Sequence, residues 1–147
     1  MTLPAPEEGL VIRYCYLWRE EHRKGREEGV KGRPCAIILA VANRDGGKRT
    51  RVVVLPITHA QPAADTPALE IPAVTKKRLG LDEDRSWVLL SECNEFLWPG
   101  PDLRRVRGQD DGSVAYGFLP PKFYNEVRRR FAALVRASKS VVVKRTE

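Results

Sequence analysis

Apolar and polar positions along the chain mark out a series of short strands and, near the end, one amphipathic helix. Leu10 to Trp18, opening after Gly9, is rich in β-branched and aromatic residues and predicts a strand. Two longer apolar segments, Lys31 to Val41 and Arg51 to His59, flank Asn43-Arg44-Asp45-Gly46-Gly47, whose Asp-Gly-Gly link is hairpin punctuation. Both faces of the hairpin are apolar: Ile37, Leu39 and Val41 are expected to meet Val52 and Val54, and Ala36, Ile38 and Ala40 to meet Val53 and Leu55. Strands apolar on both faces belong inside a sheet. Pro34 and Pro56 lack amide donors and belong near strand ends or edges.

Shorter elements follow. Ala68 to Ile71 predicts a strand, and Pro72 to Leu79 a brief helix with proline near its start and Gly80 just past its end. Further strands are expected at Trp87 to Ser91, Leu103 to Val106 and Tyr116 to Leu119, with a turn at Trp98-Pro99-Gly100-Pro101. Phe123, Val127, Phe131 and Leu134 recur at helical spacing and form an inward stripe, while Asn125, Arg128, Arg129 and Arg136 point elsewhere. Residues 138 to 147 fit either a frayed end or a late strand at Val141 to Val143. Arg19 to Gly32 is a long charged loop, and loops of that length are usually functional or mobile. The expected whole is one mainly β domain over residues 1–147, with its core at about 9–135: a small, strongly bent sheet or barrel plus a C-terminal helix.

The hairpin also suggests a site. If its turn centres on Asp45 and Gly46, antiparallel partners have numbers summing to 91 and Arg33 faces Thr58; a turn on Gly46 and Gly47 moves the pairing by two residues. Either register brings a guanidinium, a hydroxyl and the imidazole of His59 to the end away from the turn, and directly opposed Cβ atoms lie about 5 Å apart. The competing assignments are a salt bridge from Arg33 to Glu27 or Glu28, and a strand-end cap for Thr58. His59 has the right chemistry for a general acid or base near neutral pH, although on a regular strand it points away from Thr58.

Composition narrows the class. With 147 residues, 42% hydrophobic and 31% charged, the chain reads as an ordinary globular domain. The longest apolar run, Cys35 to Ala42, is too short to span a bilayer, and residues 1–8 lack the basic start and apolar stretch of a signal peptide. A cytoplasmic protein with buried, reduced thiols is therefore expected, since Cys15, Cys35 and Cys93 form no close pair. His22 and His59 are the sole histidines and no ligand cluster accompanies them, so neither a zinc site nor another cofactor is expected. The net charge of +7 is concentrated at the C-terminal end, where residues 121–147 hold eight basic and two acidic side chains. Such a face suits a polyanion or is simply a solvated helix surface.

Arg33-Pro34 leading an apolar strand, Pro56-Ile57-Thr58 closing the next, Leu69-Glu70-Ile71-Pro72 and the strand from Trp87 to Glu92 occur in an order that resembles the PemK/MazF family of toxins from toxin–antitoxin pairs, over roughly residues 9 to 135. The resemblance implies an SH3-like, CcdB/PemK-type barrel, a homodimer, and a metal-independent endoribonuclease that cuts single-stranded RNA through attack by its own 2′-hydroxyl, leaving a cyclic phosphate. It assigns Arg33 to the developing phosphorane charge and Thr58 to phosphate orientation or proton transfer, with His59 as a further catalytic candidate. His22, Lys24, Arg26 and Lys31 lie on the loop that in relatives closes over RNA, and an acidic antitoxin is the implied partner.

Two departures qualify the match. His59 stands where Ser or Thr is more usual, and the Arg-x-Asp pair carried by part of the family is absent, Leu89, Leu90 and Ser91 standing there, with Glu92 or Glu95 as substitutes. The alternatives are a non-catalytic barrel that binds RNA or an antitoxin, and a topoisomerase poison of the same fold. The chain ends in Lys144-Arg145-Thr146-Glu147, without the terminal aromatic and glycine of that last branch.

Overall fold

A computed structural model describes residues 3–23, 31–42, 49–82, 84–108 and 112–145. In chain order the elements are β1 (Leu10–Tyr14), α1 (Arg19–Arg23), β2 (Arg33–Ala42), β3 (Thr50–Thr58), β4 (Ala68–Glu70), α2 (Ala73–Leu79), β5 (Trp87–Leu89), β6 (Glu92–Leu97), β7 (Ala115–Phe118), α3 (Pro121–Arg136) and β8 (Val141–Lys144). The strands form one sheet in the order β4-β5-β3-β2-β1-β7, with β6 joined to β3 and β8 joined to β6. Every pair is antiparallel except β6 with β8. The fold is thus mainly β with a C-terminal helix.

The sheet is not a closed barrel: among the described residues no ladder joins β7 to β4 or to β8. Two observations explain the open margin. Residues of β4 run straight into Pro72, which cannot donate to a ladder. On the opposite margin α2 comes close to β7, with Leu79 Cδ2 only 3.0 Å from where a Cβ on Gly117 would stand.

As the two-sided apolar pattern requires, β2 and β3 are interior strands. The core lies on both faces. One cluster, including Ala36, Ile38, Leu55, Ile57 and Val88, is capped by α3 through fully buried Val127 and the partly buried Phe123, Tyr124, Phe131 and Leu134. The other contains Ile12, Tyr14, Tyr16, Cys35, Ile37, Val54, Phe96 and Trp98, with Tyr14 and Phe96 stacked at 4.6 Å. Burying a Phe, Leu or Ile side chain of this kind stabilises by roughly 1.5–3 kcal/mol, so these two clusters dominate the energetics.

The hairpin follows the 91 register at its open end, with Cys35↔Pro56, Ala36↔Leu55 and Ile37↔Val54, but a bulge between Ile37 and Leu39 shifts the rest to Leu39↔Val53 and Ala40↔Val52. One extra residue reverses which face each later side chain meets. Ala40 therefore joins the side of Ile37, whereas Leu39 and Val41, expected against Val52 and Val54, are 41% and 43% exposed. The bulged Ile38 carbonyl accepts a hydrogen bond from Tyr124 Oη at 2.9 Å. The hairpin turn itself lies outside the described residues.

Other boundaries moved for identifiable reasons. β1 ends at Tyr14 rather than Trp18, because Cys15 N donates to Asp102 O and Leu17 is held by Asn94. Leu103 to Val106 forms only an isolated bridge, Leu103↔Tyr14. The segment after Trp87 makes two strands, not one: β3 pairs at Ile57↔Val88 and again at Val54↔Asn94, leaving three residues in excess. Leu90 N turns to Pro67 O and Ser91 O receives Val141 N, so this excess becomes the junction between β5 and β6. Of the two options for the chain end, the strand is realised as β8. α2 ends as its Gly80 predicts, in the left-handed region at φ 73°, with Gly80 N on Lys77 O and Leu81 N on Lys76 O.

Candidate functional site

The open end of the hairpin is built from two adjacent rows of the sheet. Tyr14↔Arg33 and Thr58↔Trp87 belong to one row, Arg13↔Pro34 and Ile57↔Val88 to the next, and continuing the 91 register places Arg33 across from Thr58. Successive residues project to opposite faces, so the two rows serve opposite sides of the sheet.

Arg33 is held with unusual definition for a half-exposed cation. Its guanidinium carbon lies 4.8 Å above the Trp18 ring, and its Nε is buried without a hydrogen-bond partner. Among the described residues no carboxylate pairs with it; Glu27 and Glu28, the expected salt-bridge partners, lie outside those residues. An unsatisfied buried donor costs about 1–3 kcal/mol.

The Trp18 platform is fixed from behind. Fully buried Asn94 accepts from Leu17 N and donates to Leu17 O, both at 2.9 Å. Arg145 donates to Cys15 O at 2.7 Å and to Tyr14 Oη at 3.1 Å, and pairs with Asp102 at 3.1 Å. Tyr16, edge-on to Trp18, donates to Glu92 Oε1 at 3.1 Å, and Arg19 N donates to the same oxygen at 2.9 Å. Burial pushes the Glu92 carboxyl above its ordinary value despite these two donors. Glu95 is engaged differently, by Arg51 at 2.8 Å.

Beside Arg33 opens a cleft of about 390 Å³, lined among others by Arg13, Lys31, Arg33, Arg107, His59, Ser86, Tyr116 and Asp82. Four cations thus meet one carboxylate, and that carboxylate, Asp82, is bound by Lys76 at 2.9 Å. Burial raises the Tyr116 phenol, with Arg13 and Arg107 near enough to oppose the shift.

Of the residues singled out in the sequence, Arg33, His59 and Lys31 border this cleft, Arg33 from the row whose side chains face Trp18. Thr58 is not among its lining residues; its flanks Ile57 and His59 are, and its Oγ1 accepts from Ala60 N at 3.1 Å as a strand-end cap does. His22 belongs to α1, and Lys24 and Arg26 lie outside the described residues. Neither Glu92 nor Glu95 lines the cleft. Arg13 and Arg107 belong to no sequence motif, although Arg13 has a visible signature: a lone cation in the apolar run Leu10-Val11-Ile12-Arg13-Tyr14.

Among the described residues no group of three or more His, Cys, Asp or Glu gathers to hold a metal, and no helix is long and apolar enough to cross a membrane. Cys15, Cys35 and Cys93 are free and buried. Comparisons of the chain with protein-family models, with curated proteins and with solved structures found no match.

Proposed function

We propose that the protein is a cytoplasmic, metal-independent endoribonuclease of the PemK/MazF toxin type, acting on single-stranded RNA in the cleft beside Arg33, as a homodimer neutralised by an acidic antitoxin. The observation that carries this reading is Arg33 itself: a cation seated on Trp18, with an unsatisfied Nε, at the margin of a cleft whose other charges are mostly positive. In this chemistry the ribose 2′-oxygen attacks the adjacent phosphorus and gives its proton to a base, while the P–O5′ bond breaks and an acid protonates the departing 5′-oxygen. Arg33 offsets the charge on the pentacoordinate phosphorus, and the exposed imidazole of His59 on the cleft wall supplies one of the two proton transfers.

The test is digestion of unstructured RNA with EDTA present. The expected products end in 2′,3′-cyclic phosphate and 5′-hydroxyl, a 2′-deoxy substrate stays intact, and Arg33→Ala lowers the rate about 10²–10³-fold, the scale of losing one preorganised donor. An Arg33→Ala protein that cuts as fast as the parent overturns the assignment.

One observation favours a second reading, binding without cleavage: the Thr58 hydroxyl is occupied by Ala60 N and Thr58 does not line the cleft. Salt-sensitive RNA binding with no cyclic-phosphate product selects it.

A further inference from the structure

The cleft holds more positive charge than one reacting phosphate uses. Arg13 comes from β1 and Arg107 from the segment after Val106, yet both line it. Arg13 is fixed in place by donating Nη1 to Arg105 O at 2.8 Å, and among the described residues neither guanidinium has a carboxylate partner. Gly32, the residue before Arg33, makes room for this arrangement: a Cβ there would lie 3.0 Å from Arg13 Nε and 3.2 Å from Arg104 Cγ. Arg13 pairs with Pro34 while Arg33 pairs with Tyr14, so the two side chains leave opposite faces of the sheet at one end, where both residues border the cleft. Two cations from separate segments that share a cleft, neither with a carboxylate partner among the described residues, repel each other, and an anion between them relieves that repulsion.

We propose that Arg13 and Arg107 form a second anion subsite that takes the phosphodiester next to the one addressed by Arg33, so that the cleft grips two successive phosphates of a single strand. This rests on the RNA reading above. Phosphate contacts fix register and orientation without reading bases, so the role of this subsite is to position the scissile bond against Arg33.

The test uses an uncleavable probe, a 2′-O-methyl single-stranded oligonucleotide, and measures Kd by fluorescence anisotropy from about 50 to 200 mM salt. Each phosphate contact contributes a slope of about −0.7 in log affinity against log salt, or about 2.6-fold over that range. Arg13→Gln and Arg107→Gln are each expected to flatten the slope by about 0.7, and the double variant by about 1.4. Gly32→Ala, which crowds Arg13 without removing it, is expected to weaken binding several-fold with Arg107 intact. Arg107 is exposed on a loop, so its variant carries no folding liability and keeps the test decisive if Arg13→Gln proves unstable. Parent-like slopes in Arg107→Gln and in a folded Arg13→Gln overturn the subsite and leave the RNA reading intact. A parent protein that does not bind the probe overturns the RNA reading, and the subsite with it.

Discussion

Replacing Arg145 by Met tests whether the end of the chain holds the Trp18 platform. The Arg145 side chain is 1% exposed and its partner Asp102 carboxylate 7%. The guanidinium donates to Tyr14 Oη, Cys15 O and Asn94 Oδ1 as well as pairing with Asp102. Asn94 Oδ1 keeps its bond from Leu17 N after the change, so the main losses fall on Cys15 O and on Asp102. Removing one member of a buried ion pair costs about 3–5 kcal/mol. Against a total stability of about 5–15 kcal/mol, that is about a fifth of the whole at the least. For a chain of this length it corresponds to a fall in Tm of about 10–15 °C. Equilibrium unfolding in urea of Arg145→Met, Asp102→Asn and the double variant measures it, and the double variant should lose about 1–3 kcal/mol less than the sum of the singles. A loss under about 1 kcal/mol for Arg145→Met, or strict additivity, refutes the reasoning.

Three further outcomes are expected. The carboxyl of Glu92 is raised by burial above its unfolded value, so the folded state binds the extra proton: its contribution is complete below the unfolded value and is lost as pH rises through the folded one. Glu92→Gln, which can keep the acceptor for Tyr16 and Arg19, should therefore match or exceed the parent in stability at neutral pH, and urea midpoints measured against pH should fall above about pH 4.5 in the parent and less so in the variant; a marked loss at pH 7 would contradict this. Gly80→Ala places a Cβ in open space but at φ 73°, so calorimetry should show a loss of about 1 kcal/mol from backbone conformation alone; an unchanged Tm would count against it. Burial, reinforced by Glu95 and Glu92, pushes the Cys93 thiol up to about 12, so native-state labelling with a thiol reagent should follow global unfolding rather than thiolate concentration, and labelling as fast as in denaturant would refute that.

How far the residues announced this molecule depends on whether local pattern or distant partners decide each element. The β2–β3 hairpin, α2 with its glycine stop and the Phe123-Val127-Phe131-Leu134 stripe were legible because periodicity and punctuation reside in the segments themselves. β6 was missed because Glu92-Cys93-Asn94-Glu95 carries charge and amide at positions whose partners, Tyr16, Leu17 and Arg51, are remote in the chain. The excess length of β1 had the same origin: Tyr14 to Trp18 has strand composition, but Asn94, Asp102 and Arg145 take its polar groups. At the site, the sequence motifs led to Arg33 and His59, whereas Arg107 reaches the cleft only through tertiary folding.

The extra residue at Ile38 has a bearing on how this chain can vary. It separates the strand pair into two independently counted halves, so a change in the length of the distal loop alters only the segment beyond Leu39. The half that carries Arg33 keeps its own alignment through Cys35↔Pro56 and, from the other neighbour, Ile12↔Cys35. Insertions and deletions at the tip are thereby insulated from the cleft, and length variation there should be tolerated far better than a single-residue change between Arg33 and Ile37.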